Sequence, residues 1–319
     1  MSFSGMVKEE LAGRFSEARH CCIAELAAML ELSGRFEEGG EHPGSLVIHT
    51  ENEAVSRKCF TLTKKTFNIE PEDYHGEEHH TGKAREYSLR ISDPLQQESI
   101  LTAVKARPDH GGEAGLYICD DLVFQRDCCR RAFIRGAFLA AGSISDPNKA
   151  YHFEIVCQDA ARAGQLRNLM ESFGISARVV IRKKSHVVYV KDGTQIVDLL
   201  AVMGANVALM DLENIRIVKE MRNSVNRIVN CETANIGKTV SAAVSQAEDI
   251  RLVAEKIGLE NLPDGLAQTA QLRIRFPEAS LKELGIMSEP QVGKSGVNHR
   301  LRKLSRMAEA LRRTEEEKL

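Results

Sequence analysis

Six side chains near the end of the chain carry the chemistry most readily assigned from residue type and spacing. Asn298, His299, Arg300, Arg302, Lys303 and Arg306 set amide, imidazole and cationic donors along one short stretch. Arg and Lys pair with phosphate oxygens. Arg also reaches the acceptor edge of guanine through two bonds, and Asn does the same for adenine. Ser280, Lys282, Lys294 and Ser295 place further donors just ahead of them. Together these types fit recognition of double-stranded DNA. A solvated basic face on a terminal amphipathic helix uses the same residues and stays open as the alternative.

The segment around them, FPEASLKELGIMSEPQVGKSGVNHRLRKLSRMAEAL (276–311), reads as two helices joined by a polar loop. Pro277 ends the preceding helix by removing a donor and restricting Phe276. Ser280 and Glu283 have the S-x-x-E spacing of a capping box, and Ser295 is the expected cap of the second helix. In that helix Val297, Leu301, Leu304, Ala308 and Leu311 recur at helical spacing and define a buried stripe. His299, Arg302, Lys303 and Arg306 fall on the opposite side, with Asn298 and Arg300 at the flanks. This is the layout of a helix-turn-helix unit. The Met287 to Lys294 loop is longer than the tightest turns of that motif, so it is expected to leave the crossing angle less fixed.

Nothing global advertises nucleic acid. The net charge is −2, so any basic surface must be local. At 319 residues, with 28% charged and 43% hydrophobic residues, the chain predicts a soluble protein of two or three domains. Trp is absent and aromatics are few, so its cores must be aliphatic. No apolar run is long enough to span a membrane. The opening MSFSGMVKEELAGRF lacks the apolar core of a secretory signal, which points to the cytoplasm and, for a DNA binder, the nucleoid. Eight cysteines then imply reduced thiols. Two vicinal pairs, Cys21-Cys22 and Cys128-Cys129, lack C-x-x-C spacing and read as small buried side chains. No P-loop or dinucleotide fingerprint occurs. His75, Glu77, Glu78, His79 and His80 sit in PEDYHGEEHHTG, which reads as an exposed loop rather than a metal site. No cofactor or metal is expected.

The first two-thirds contains a degenerate repeat. LAAMLELSG (26–34) and IRGAFLAAG (134–142) each follow a cysteine pair and end in glycine, with Gly34 and Gly142 108 residues apart. Strand candidates follow at 45–49 and 151–156, then helices at 52–67 and 159–173. Extended runs at 83–91 and 185–190 close each copy, with 177–182 an additional strand of the second. RPDHGGEAG (107–115) is a Gly-rich connector. The coarse reading is αββαββ twice: an α+β domain with internal pseudo-twofold symmetry.

Those two nine-residue segments resemble the helix motif of the LAGLIDADG homing endonucleases. The resemblance implies two helices packed at a pseudo-twofold axis, with sheets forming a saddle for DNA. In those enzymes an acid at the eighth motif position holds the catalytic metal. Here that position is Ser33 in one copy and Ala141 in the other, and neither ligates Mg²⁺ as a carboxylate does. Glu31 lies two positions earlier on a different face. RRAFIRGAFLAAGSISDPNKAYHFEI (130–155), MRNSVNRIVNCETANIGKT (221–239) and EASLKELG with GKSGVNHRLRKL (278–304) resemble the WhiA family of bacterial sporulation and cell-division regulators. That resemblance implies a non-hydrolytic DNA-binding protein of transcription control, chromosome segregation or cell division. Other transcription regulators or RNA polymerase would be its protein partners, and the internal symmetry implies a monomer.

The expected organisation is a first LAGLIDADG-like repeat at 1–106, a second at 116–210, a helical linker at 211–261 and a helix-turn-helix domain at 262–319. Within the linker, 241–257 reads as a separate helix. Asn223, Asn226, Asn230 and Asn235 read as caps and turns rather than phosphate contacts. Arg178, Arg182, Lys183 and Lys184 form a second basic segment. It suits phosphate contact from the saddle and a solvated hairpin tip equally. The matching region of the first copy, 70–80, is acidic and should repel DNA.

Overall fold

The computed structural model describes residues 2–37, 43–75, 86–108, 116–118 and 121–316. They divide into two compact units, 1–219 and 220–319. The first unit opens with α1 (Phe3–Ala12), α2 (Arg19–Ser33), β1 (Gly34–Phe36), β2 (Leu46–Thr50), α3 (Glu53–Phe67), β3 (Glu72–His75), β4 (Tyr87–Ile91) and α4 (Pro94–Val104). A short pair, β5 (Ala106–Pro108) and β6 (Leu116–Ile118), flanks the Gly-rich connector. The series then repeats as α5 (Asp127–Ala141), β7 (Gly142–Ile144), β8 (Phe153–Cys157), α6 (Ala160–Glu171), β9 (Arg178–Arg182), β10 (Ser185–Val190) and α7 (Gly193–Met203). Helix α8 (Asn206–Lys256) follows. Then come α9 (Asp264–Arg275), α10 (Leu281–Ile286) and α11 (Lys294–Glu316).

The expected duplicated α+β fold is present. Each copy carries a four-stranded antiparallel sheet, in the orders β1-β2-β4-β3 and β7-β8-β10-β9. Two details differ from expectation. Each copy gains a third helix, α4 or α7, started by an Asp side chain that accepts a backbone N–H: Asp93 from Leu95 and Asp192 from Gln195. Strand β9 is not an extra of the second copy, because β3 pairs with β4 in the first. The motif glycines end their helices, as expected. Gly34 and Gly142 have extended backbone and begin β1 and β7. A Cβ at Gly34 would lie 2.4 Å from the Leu30 carbonyl oxygen, so the tight helix-to-strand corner excludes any side chain there.

Helices α2 and α5 form the centre of this unit. Residues 24–31 of α2 and 132–139 of α5 are buried without a break, so both helices are surrounded. A helix buried on every face shows little amphipathic pattern, which is why small and apolar residues crowd these two. Their closest approach is at Gly136. A Cβ there would lie 2.3 Å from the Glu25 carbonyl oxygen and 3.1 Å from the Ala28 Cβ.

Beside this crossing lies an ion cluster. The fully buried Glu25 carboxylate accepts from Lys58 Nζ at 2.7 Å and from Arg135 Nη2 at 2.7 Å and Nε at 2.8 Å. Lys58 also donates to the carbonyls of Leu11 and Arg14. Arg135 donates to the Met203 carbonyl and the Ser16 hydroxyl. Burial lowers the Lys58 pKa, opposed by the Glu25 charge. Burial also works against the Arg135 charge, but the Glu25 bonds leave its pKa raised. One carboxylate therefore joins α2, α3 and α5, while its cations tie in α1, the α1–α2 loop and the end of α7.

The 211–261 linker is not two helices. Helix α8 is continuous for 51 residues, with its first N–H groups bonded to the Glu10 carboxylate from Val207 at 2.8 Å and Ala208 at 3.0 Å. Asn223, Asn226, Asn230 and Asn235 stand exposed inside it and start or end no helix, contrary to their reading as caps and turns. None of the helices is long and apolar enough to cross a membrane among the described residues.

Removing one member of a buried ion pair leaves the others charged and unpaired, at a cost of about 3–5 kcal/mol. Glu25→Ala strands two cations, so urea unfolding of the first unit should show a loss at least of that order. A change under about 1 kcal/mol would contradict the central role of this carboxylate.

Candidate nucleic-acid interface

The second unit has its own core. Ile250 and Val253 of α8, Leu266 and Ala270 of α9, Leu284 of α10, and Val297, Leu301, Leu304 and Ala308 of α11 are buried together. The expected stripe of α11 is thus the buried one, with Leu311 at its half-buried end. The last turns of α8 belong to this core, so the segment expected as linker contributes to the helix-turn-helix unit itself.

The capping box at the start of α10 is complete. Ser280 Oγ accepts from the Glu283 N–H, and the Glu283 carboxylate accepts from the Ser280 N–H at 2.7 Å. Those bonds to Ser280 hold the Glu283 carboxyl below the usual range. Ser295 does not cap α11. The helix begins at Lys294, which places Ser295 in its first turn, exposed.

The long loop is pinned rather than loose. The Ser288 hydroxyl donates to the Leu284 carbonyl at 2.8 Å, and the Val292 N–H donates to the Gly285 carbonyl at 3.0 Å. Gln268 of α9 donates to the Glu289 carbonyl at 3.2 Å. Gly285 makes the return possible, because a Cβ there would lie 2.1 Å from the Val292 carbonyl oxygen. Loop length alone therefore misjudged the α10–α11 geometry.

His299, Arg302, Lys303 and Arg306 are exposed on α11, opposite the buried stripe. Lys294 and Ser295 are exposed at its start and Lys282 on α10. Ser280, Lys282, Lys294 and Asn298 also share one groove of about 460 Å³. Arg300 differs. It is half-buried, and its guanidinium turns back onto α9, 3.4 Å from Thr269 Oγ1 and packed over Gly265. Its place on the flank of the stripe leads it to the scaffold.

Two cations of this groove carry no prior signal in the sequence. Lys238 lines it from α8, where nothing but a lone Lys-Thr in an exposed turn marks it. Arg273 is buried beneath, donating to the carbonyls of Pro277 and Ala279, and burial lowers its pKa. It clamps the connection from α9 to α10, so a charged residue does structural work at the floor of the groove.

In the first unit, Lys183 and Lys184 form the two-residue tip of the β9–β10 hairpin, because Arg182 pairs with Ser185. Arg178 and Arg182 lie on the exposed strand β9. Arg182 is bound to Glu154 at 2.9 Å, and His152 reaches the same carboxylate at 2.9 Å. The corresponding edge strand of the other copy, β3, begins with the exposed Glu72. Of the histidine-rich loop, His75 ends β3, and Glu77 to His80 lie outside the described residues. The eighth motif positions are the last residues of their helices. Ser33 donates to the Met29 carbonyl at 2.7 Å, and Ala141 precedes β7.

A duplicated α+β unit built on two central small-residue helices, joined to a basic helix-turn-helix, defines a LAGLIDADG-like protein with a DNA-binding module. Three family descriptions cover most of the chain: a WhiA N-terminal LAGLIDADG-like domain at 19–105, a WhiA LAGLIDADG-like domain at 130–222 and a WhiA C-terminal HTH domain at 225–308. The chain belongs to the WhiA family. It is 51% identical to a probable cell division protein WhiA of Lachnoclostridium phytofermentans, over 98% of this chain and 100% of that one. It is 45% identical to the one from Clostridium acetobutylicum, over 98% and 99%. Among solved structures it is similar to full-length DUF199/WhiA from Thermatoga maritima, with TM-score 0.59, 25% identity and coverage of 97% and 99%.

Leu301 sits at the centre of the second core, so Leu301→Asp buries an unpaired charge. It should abolish the thermal transition of this unit and leave that of the first; a wild-type melting profile would refute the packing. The Glu283 carboxyl, with its depressed pKa, supports the fold while ionised, fully above the ordinary glutamate range and progressively less below it. The difference in Tm between wild type and Glu283→Ala should therefore narrow as pH falls through that depressed value. A constant difference would show that the cap does not act through the charge.

Proposed function

We propose that this protein is a DNA-binding regulator of cell division that reads double-stranded DNA through α11. The observation that carries this reading is the shared exposure of Lys294, Ser295, Arg302, Lys303 and Arg306, with Asn298 in the adjoining groove. An apolar seam holds the helix while donors face outward, as groove recognition requires. Ser280, Lys282 and Lys238 are placed to position phosphates beside it. Arg300 acts from within the domain, by holding α11 against α9.

Transcription control and chromosome segregation are the processes that such a reader would serve. Other transcription regulators or RNA polymerase are the protein partners this role implies. The LAGLIDADG-like unit serves as a platform without nuclease activity, because Ser33 and Ala141 stand where the metal-binding acids would be. Its internal duplication supplies the symmetry that a dimer supplies elsewhere, so the monomer suffices. In the hairpin, Arg178, Lys183 and Lys184 are the cations left for phosphate contact, since Glu154 already pairs with Arg182.

A salt-titrated gel shift on sites selected from a random DNA library tests the proposal. Arg302→Ala should weaken binding by about 1–3 kcal/mol, that is roughly 5- to 150-fold, and relax the preference at one base position. Lys303→Ala should weaken all sequences alike and lower the salt slope by about one. Unchanged affinity in both variants would defeat the assignment of α11. Mg²⁺-dependent nicking of plasmid by the wild type would defeat the non-catalytic reading.

A further inference from the structure

The two vicinal cysteine pairs, read from sequence as small buried side chains, meet in space. Cys21 and Cys129 are buried as expected, but Cys128 is exposed. His20, Cys21, Cys128 and Cys129 bring one imidazole nitrogen and three sulfurs within 4.8 Å of one another. His20 Nδ1 lies 3.2 Å from Cys129 Sγ and 3.3 Å from Cys21 Sγ. Cys22 points elsewhere, donating to the Ser16 carbonyl.

We propose that His20, Cys21, Cys128 and Cys129 form a binding site for a thiophilic divalent cation, best suited to Zn²⁺, across the pseudo-twofold axis of the first unit.

The symmetry places the ligands. Gly34 and Gly142 stand 108 residues apart, and the same offset separates His20 from Cys128 and Cys21 from Cys129. Each copy thus contributes two adjacent residues from the first turn of its central helix. The α2–α5 crossing, held close by Gly136, brings those two turns together. Sequence inspection misses the site because no single segment has metal-ligand spacing; each half is an adjacent pair.

The donor set and dimensions fit. Three thiolates and one imidazole form one of the usual closed tetrahedral zinc sets. With Zn–S near 2.3 Å, tetrahedral sulfurs lie about 3.8 Å apart, so the cluster needs to contract by about an ångström at most. Both helix N-termini direct partial positive charge at the sulfurs, which favours thiolates. Without a cation, burial first and then the neighbouring thiols push Cys21 up to about 12; a bound dication reverses that balance and displaces the protons. His20 would ligate through Nδ1, with its proton on Nε2. Arg126, 3.4 Å from Nε2 and exposed, must then turn aside. Cys128 gives an ion a route from solvent. A metal here would staple the two copies at the opposite end of α2 and α5 from Ser33 and Ala141.

Co²⁺ titration of the reduced, chelator-treated full chain tests this. The expected result is one Co²⁺ per chain with the visible bands of a tetrahedral ion and a thiolate-to-cobalt charge-transfer band. Zn²⁺ should bleach both. Cys128→Ser, at an exposed position, should weaken retention by at least tenfold, since loss of even an outer-shell partner costs about that much. Cys231→Ser, at an exposed site on α8, should leave the spectrum unchanged. Absence of a stoichiometric tetrahedral spectrum in folded wild type would overturn the proposal. So would an unaltered spectrum in Cys128→Ser, or loss of the thiols to a disulfide with no metal retained.

Discussion

The first unit depends on one buried carboxylate. Glu25 is wholly enclosed and bonded to both Lys58 and Arg135. Taking three charges out of water is costly, and their attraction offsets that cost only when geometry and extra hydrogen bonds are good. The extra bonds exist here, to three carbonyls and a hydroxyl contributed by other segments. The cluster therefore specifies which helices meet at the axis as much as how strongly they hold. Apolar packing alone would tolerate sliding between two helices lined by small residues. The Glu25 carboxylate and the Gly136 contact fix one arrangement.

That arrangement also breaks the symmetry of the duplication. The position equivalent to Glu25 in the second copy is Phe133, and the one equivalent to Arg135 in the first is Ala27. Each copy thus supplies a different partner, and neither can form the cluster with another of its own kind. The same asymmetry appears on the sheets. One edge strand opens with the exposed Glu72, the other carries the exposed Arg178 and Arg182. Equivalent edges of a near-twofold backbone thus carry opposite charges at these residues. The first-turn residues His20, Cys21, Cys128 and Cys129 retain a chemically related set across the axis.

The second unit relies on a different constraint. Its helix-turn-helix is small, and three of its devices serve one purpose, which is to hold α11 at a fixed angle. The Ser280–Glu283 box starts α10, Gly285 lets the loop fold back, and Arg273 clamps the α9–α10 connection. Rigid support behind a donor-bearing helix is what converts a basic face into a reader, because misplaced donors lose bidentate geometry. The last turns of α8 complete the core, so the helix-turn-helix unit is built on the end of the long helix.

Much of this was legible in the residues. The two motif helices, most strands, the capping box and the α11 stripe each rest on local periodicity or a local hydrogen bond, and local physics needs no tertiary information. Ser33 and Ala141 at the eighth motif positions are likewise read directly from the sequence. Other features arise only from contacts between distant segments. The burial of Arg300 against α9, the pinned loop and the Lys238 side of the groove required α8, α9 and α11 to be assembled. The asparagines of α8 lie in a helix although residues 221–242 around them are exposed, so the continuity of the helix outweighs their weak preference for caps. The cysteine cluster is the clearest case. Its four residues are two ordinary adjacent pairs in the chain, and only the crossing of α2 and α5 makes them one set of ligands.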